Sequence, residues 1–361
     1  MRLTALALVS ACGFGVPSSS ATGADADVDA EVPACFGTRC SRIAIEIDHT
    51  KVSGGPHVDF PVLVLLDEPG LAVKPVFTAA DGTTKLAHDL DGQQVGAPSA
   101  WVRVPSVSSA EDTRIYAYYG DPAAADAVDR ERAWNAGYVG VWHLGGQSNG
   151  TVEESTQNKN TGADIGAPMR GVAGLVGAAI AFDGVDDCIK IAASPSLLSA
   201  AASATLEMWV SWSSPVINDY QRLLMASNTF TGDGLGMEWA TNAQGQHYYY
   251  PSSAGGNDYA AIVEPFSPAT WYHVALTQQF TTQTVRIYVD GVEQLLSVDG
   301  IENWTELMTS ADWYWGGAPT RAKFIGKMDE IRVSNVVRSS GWLATEVANQ
   351  MAPHAFYRVL R

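Results

Sequence analysis

Period-two hydrophobic alternation, an abundance of aromatic and glycine residues, and almost no helical signal predict an all-β protein, a small β-sandwich followed by a larger antiparallel one. Eleven Trp, thirteen Tyr and thirty-four Gly against only 17% charged residues suit short strands joined by tight turns. A length of 361 residues leaves room for about two such domains.

The first domain is expected over 41–134. RIAIEID (42–48) places Ile43, Ile45 and Ile47 on one face, whereas DFPVLVLLD (59–67) is apolar on both faces and reads as a buried central strand. WVRVPSV (101–107) and TRIYAYYG (113–120) continue the series. Asp81-Gly82, Asp91-Gly92 and Gly120-Asp121-Pro122 supply turns, and the Ala-rich, charged stretch 122–134 is a connector with partial helical character. The second domain is expected over 135–361, with strands at YVGVWHL (138–144), AAIAFDG (178–184), CIKIAA (188–193), ATLEMWVSW (204–212), LGMEWAT (235–241), HYYYP (247–251), WYHVALTQQ (271–279), TVRIYVDGVEQL (284–295) and FIGKMDEIRVS (324–334). Asp290-Gly291 marks a two-residue hairpin turn. Ser339 or Ser340 can cap one short helix, SGWLATEVANQ (340–350).

From Tyr138 onward the segments GVWHL (140–144), AFDGVDDCIKI (181–191), LEMWVSW (206–212), WYHVALT (271–277), VRIYVDGV (285–292) and FIGKMDEIRVSN (324–335) follow one another in an order that resembles the concanavalin-A-like, laminin-G-like jelly roll of bacterial surface proteins. The upstream segments SRIAIEID (41–48), AWVRVP (100–105) and RIYAYYGD (114–121) resemble an uncharacterised bacterial domain that often precedes such jelly rolls and carries no known activity. The resemblance implies an architecture that hosts glycosidases, lectins and structural units alike. The β-glucan hydrolases of this fold carry Glu-x-Asp-x-x-Glu on one strand, and that spacing is missing here. Glu207 in ATLEMWVSW has no carboxylate two or four residues away and is expected to face solvent. GQSNG (146–150) matches G-x-S-x-G but lacks the helix a nucleophile elbow needs, so it reads as a loop. Seven scattered histidines form no zinc motif, and His143 and His273 read as packed, hydrogen-bonded side chains. The expectation is therefore a protein that is not an enzyme.

Two functions remain open on this reading, recognition of a glycan or cell-surface polymer by the jelly roll, or a structural part in a cell-envelope assembly. Candidate stacking residues for a glycan are Trp239, Tyr248, Tyr250 and Tyr314, with Tyr314 expected to point away from Trp313 and Trp315. Related jelly rolls bind a structural calcium where an early segment meets the closing strand. By that resemblance Asp329, just before the D-x-x-R-V-like run, is the first candidate Ca2+ ligand and Asp183 the second. The three aspartates of FDGVDDCIKI (182–191) do not make a calcium loop by themselves, since the twelfth position counted from Asp183 is Ser194. Their alternative role is an acidic turn.

A formal charge of −17 without a basic cluster disfavours nucleic acid and anionic lipid as partners. The start MRLTALALVSAC (1–12) has one basic residue, a short apolar run, and Val9-Ser10-Ala11 before Cys12, which resembles a bacterial lipoprotein signal. The expectation is an exported protein whose only membrane contact is a lipid on Cys12, followed by a flexible tether over 13–40, and displayed at the outer membrane or cell surface. In that setting Cys35 and Cys40 are candidates to close a small disulfide loop, and Cys188 is a space-filling core residue.

Overall fold

A computed structural model describes residues 32–91, 98–134, 137–146, 150–197, 202–213, 221–226, 237–241, 246–250, 260–263, 266–299, 311–318 and 324–361. The all-β expectation holds. The strand Ser41–Ile47 lies between Thr113–Tyr119 and the chain's last strand, Tyr357–Leu360, all antiparallel, in a five-stranded sheet completed by Val76–Ala79 and Lys85–Leu86. A three-stranded sheet, in the order His57–Leu65, Ser99–Val107, His88–Asp91, faces it. Ile43, Ile45 and Ile47 are buried with Val62, Val64, Val102 and Ile115 in one hydrophobic cluster, as the alternation requires. Cys35 and Cys40 are joined by a disulfide ahead of the first strand.

The strand His57–Leu65 is apolar on both faces because the second face is covered as well, by the helix Ser340–Met351. Ser339 caps that helix by accepting a hydrogen bond from the Trp342 amide at 3.1 Å, a contact worth about 1 kcal/mol. Asn349, inside the helix, receives the Leu63 amide at 2.6 Å and donates to the Leu63 carbonyl at 3.1 Å, so a side chain completes the strand's backbone pairing. Gly341 has no room for a side chain. A Cβ there would stand 2.5 Å from the Ser53 carbonyl oxygen.

The larger sandwich has an eight-stranded sheet running Met169–Ala173, Ala178–Asp183, Ile325–Ser334, Ser203–Trp212, Trp271–Gln279, Thr284–Val289, Val292–Glu293, with Tyr138–Trp142 also paired to Ile325–Ser334. A nine-stranded sheet faces it, with Trp313–Trp315 between Gln221–Ala226 and Cys188–Ile191. Trp142, Trp212, Trp239, Trp313 and Trp315 fill the space between the two sheets. Asp290 and Gly291 take φ values of 48° and 77° and close the hairpin in which Val289 pairs with Val292. The outer face of the eight-stranded sheet is covered over its central strands. Val141, Ala275 and Tyr288 from that face share a cluster with Trp101, Trp134 and Leu343, and Pro33–Arg361 form one compact unit.

The closing strand Ile325–Ser334 carries a β-bulge where it pairs with Ser203–Trp212, between the pairs Glu207–Arg332 and Trp209–Asp329. Strict alternation would put Met328 and Ile331 on opposite faces, yet both lie in the core between the sheets. The extra residue resolves the conflict. Glu330 sits at the bulge with φ 49°, in the left-handed region a glutamate seldom occupies, and its side chain leaves the core for the outer face.

Candidate functional site

The strand His88–Asp91 places Asp89 and Asp91 two residues apart on one face at the edge of the three-stranded sheet. His143, just past the strand Tyr138–Trp142, and Glu330, aimed by the bulge, meet them from the larger sandwich. The His143 ring stands between two carboxylates, with Nε2 3.1 Å from Asp89 Oδ2 and Nδ1 2.8 and 3.0 Å from the two Glu330 oxygens. Asp89 also accepts Arg130 Nε and Trp134 Nε1, each at 3.0 Å. Behind this group Arg332 Nη2 donates to Glu330 and Nη1 to Glu346, each at 3.0 Å, and Tyr138 donates to Glu346 at 2.7 Å. The Arg332 guanidinium lies 4.1 Å above the Trp101 ring and 5.0 Å from that of Trp134.

These contacts set the charges. Burial disfavours the His143 imidazolium, but Glu330 and Asp89 outweigh it and raise its pKa well above the ordinary histidine value. Burial also opposes ionisation of Asp89, yet the His143 hydrogen bond and charge, with Arg130 and Trp134, hold it down at about 2. Asp91 goes the other way. Burial, reinforced by the negative charges of Glu330 and Asp89 and only partly offset by His143 and Arg130, raises it to about 7. Glu346 is likewise raised to about 7, first by burial and then by Glu207.

Asp91 and His143 open onto a cleft of about 280 Å³ whose rim includes Arg130, Thr151, Glu153, Ser155 and Arg170. A neighbouring, more open hollow of about 500 Å³ shares Arg130, Glu153 and Ser155 with it and adds Thr156, Lys159 and Thr161. Between the two runs the Arg130–Glu153 ion pair, 2.8 Å long, with Glu153 mostly exposed. Among the described residues the lining is a mixture of donors and acceptors without an aromatic platform. It suits a hydroxyl-rich ligand held by directional hydrogen bonds. Asp91, His143 and Glu330 are also a group of side chains that could hold a metal ion, each offering one ligand atom within 4.8 Å of the others.

The residues singled out from the sequence lie elsewhere. Trp239 is 1% exposed and packs in the core between the sheets, so its indole presents no face to a ligand. In the strand Gln246–Tyr250 the middle Tyr249 belongs to the same core, while Tyr248 lies on the other face against Ala240 and Ala261 and is also buried. Tyr250 pairs with Glu238 along the backbone, and its side chain is outside the described residues. Tyr314 does oppose Trp313 and Trp315, but only 5% of it is exposed, beside Asp312 and Lys190. The expectation that an outward direction means accessibility is corrected here, because neighbouring side chains cover the sheet face. Glu207, expected to face solvent, is 1% exposed, with His273 Nε2 3.6 Å from its carboxylate.

Asp329 and Asp183 are not brought together. Asp183 pairs with Ile325, four residues before Asp329 on the closing strand, a separation of about 13 Å at the rise of a β-strand. Asp329 Oδ2 accepts the amides of Leu175 and Val176, each at 2.9 Å, and pins that turn. Asp183 accepts the Val185 amide at 2.7 Å within its own turn, and Asp187 receives Ala167 and Asp183 amides. Asp183 and Asp187 are thus taken up by backbone amides. Cys12 and the centre of GQSNG, residues 147–149, lie outside the described residues.

Sequence reasoning missed Asp89, Asp91 and Glu330 as a group. The local signal is the alternating acidic pair in HDLD (88–91), of which Asp91-Gly92 reads as a turn.

Residues 183–344 match the family model of the concanavalin A-like lectin/glucanases superfamily. No curated protein matches the chain. Among solved structures, the chain is similar to a Trypanosoma rangeli sialidase in complex with 2,3-difluorosialic acid, at 18% identity and TM-score 0.47, covering 60% of this chain and 33% of that one. It is also similar to the receptor binding domain of botulinum neurotoxin C/D mosaic serotype, at 9% identity and TM-score 0.47, covering 59% and 51%. The chain thus spans between a third and about half of those proteins. The expectation that the protein is not an enzyme is corrected, because the search for paired acidic groups behind it did not reach the carboxylates that flank His143. That expectation rested on spacing within single strands, whereas the carboxylates gathered here come from strands remote in sequence.

Proposed function

We propose that the protein recognises a carbohydrate in the cleft between the small sandwich and the larger one. The observation that carries this reading is the cleft's lining, where Arg130, Glu153, Arg170, Asp91 and His143 bring charged and polar groups together around about 280 Å³. Hydroxyl groups of a sugar can give and take hydrogen bonds at such a site, and each one made to a charged partner is worth about 1.5–3 kcal/mol. The match of residues 183–344 to the lectin/glucanase superfamily supports the same class of ligand. Glu153 is exposed enough to be replaced without disturbing the fold. On a glycan array followed by calorimetry, the full chain should retain at least one polysaccharide, and Glu153→Ala should weaken that binding about tenfold. Unchanged affinity in the variant would remove the cleft from the reading. Retention of no glycan by either protein would favour a structural part in an envelope assembly.

Display at the outer membrane or cell surface through Cys12 belongs to the same proposal and rests on the small residues that precede that cysteine. An alkyne fatty acid fed to expressing cells should label the wild-type protein and leave Cys12→Ala unlabelled. Equal labelling of both would end the anchor reading.

A further inference from the structure

We propose that Asp91, His143 and Glu330 form a binding site for one divalent transition cation at the floor of the cleft. The proposal is independent of the carbohydrate reading. One ligand atom from each residue lies within 4.8 Å of the other two, and an ion about 2.1 Å from each ligand spans pairs up to about 4.2 Å, so side-chain adjustments of less than an ångström close the set. Asp91 supplies the independent sign of a missing partner. It is 6% exposed, and its buried Oδ2 has no hydrogen-bond partner among the described residues.

The surrounding bonds are those a metal-bound histidine requires. His143 Nε2 is 3.1 Å from Asp89 Oδ2, and Asp89 is held in turn by Arg130 and Trp134. When Nε2 carries the proton and donates it to Asp89, the Nδ1 lone pair points to the Glu330 side, which is a carboxylate–histidine–metal relay. On binding, the ion takes the place of the proton that Nδ1 otherwise shares with Glu330, and that proton leaves to solvent. Glu330 is aimed toward His143 by its left-handed bulge and steadied there by Arg332. One imidazole nitrogen with two carboxylates suits Zn2+ or Mn2+ better than Ca2+, which prefers an all-oxygen set of six to eight ligands. The cleft borders Asp91 and His143, leaving that side of the ion for water or a ligand oxygen.

The other acidic groups do not compete. Asp48, His49 and Asp112 satisfy one another and the Thr50 amide at the surface. Asp183 and Asp187, beside Asp186, already accept the backbone amides of Val185 and Asp183.

The test uses the untagged full chain, stripped with EDTA and titrated by calorimetry with Zn2+, Mn2+ and Ca2+, with bound metal counted by elemental analysis. One Zn2+ or Mn2+ per chain is expected, with Ca2+ at least tenfold weaker. Asp91→Asn and His143→Gln should each weaken Zn2+ binding tenfold or more while the ion-free circular dichroism stays that of the wild type. Spin-echo modulation of Mn2+ on the wild-type chain should show a coordinated imidazole nitrogen, a readout that holds even where a variant fails to fold. Failure to bind either ion stoichiometrically, undiminished binding in both variants, calcium bound as tightly as zinc, or Mn2+ without nitrogen coupling would each overturn the assignment.

Discussion

Arg332→Leu should lower the free energy of unfolding by about 3–5 kcal/mol, the cost of breaking a buried ion pair by removing one partner. Arg332 is 1% exposed and is the shared cation of Glu330 and Glu346, each 3.0 Å away. Without it Glu330 is left with His143 and Glu346 with Tyr138 alone, beside an apolar side chain that can donate to neither. The rings of Trp101 and Trp134 lose the guanidinium that lies 4.1 and 5.0 Å from them. Lysine should rescue little, because a single ammonium cannot bridge both acids and stack on the indoles at once. Adding Glu346→Gln to the leucine variant should recover part of the loss, since Glu346, unlike Glu330 beside His143, has no second cation to balance it. Urea unfolding monitored by tryptophan fluorescence gives the numbers. A loss below about 1 kcal/mol for Arg332→Leu would mean that water reaches the acids and that the cluster is not sealed.

The second large effect is expected at acid pH. His247 is buried between Trp212 and Phe266, with ring centroids 5.1 and 4.2 Å away, and burial alone depresses its pKa to about 3. A histidine whose folded pKa is depressed contributes stability that is complete above its unfolded value of about 6.5 and is lost as pH falls from there toward the folded value. The share lost between pH 7 and pH 4 is on the order of 3 kcal/mol. Asp91 and Glu346, raised to about 7, act in the opposite sense over the same interval, so the whole-protein profile is a sum. The difference between variants isolates one group. His247→Phe retains an aromatic ring in the cluster and removes a buried Nε2 that has no hydrogen-bond partner among the described residues. Its unfolding free energy should fall less between pH 7 and pH 4 than that of the wild type, by on the order of 3 kcal/mol. Parallel profiles for the two proteins would show that His247 protonates freely in the folded state.

Most strands were legible because their signal is local. Ile43, Ile45 and Ile47 announce a buried face through spacing alone, and Asp290-Gly291 announces a turn through the two positive φ angles it readily adopts. The candidate site was not legible, and Glu330 shows why. In KMDEIRV the pattern alternates well enough to predict a strand. Yet the direction of the glutamate depends on a bulge that exists because Met328 and Ile331 must both reach the core. Glu207 is a related case, since its burial is caused by elements over the outer sheet face that no local pattern reports. The last strand, Tyr357–Leu360, joins the first through a pairing that spans nearly the whole chain.

By itself the sequence determined the all-β class, the strand periodicity, the principal hairpin and the capped helix, since backbone sterics and apolar spacing act over a few residues. The tertiary structure alone decided that the central strands of the eight-stranded sheet are covered on both faces, that Tyr314 and Tyr248 are hidden, and that Asp89, Asp91, His143 and Glu330 meet. Those outcomes depend on which remote surfaces exclude water from one another. Burial and charge pairing between remote strands leave no periodic trace in either one.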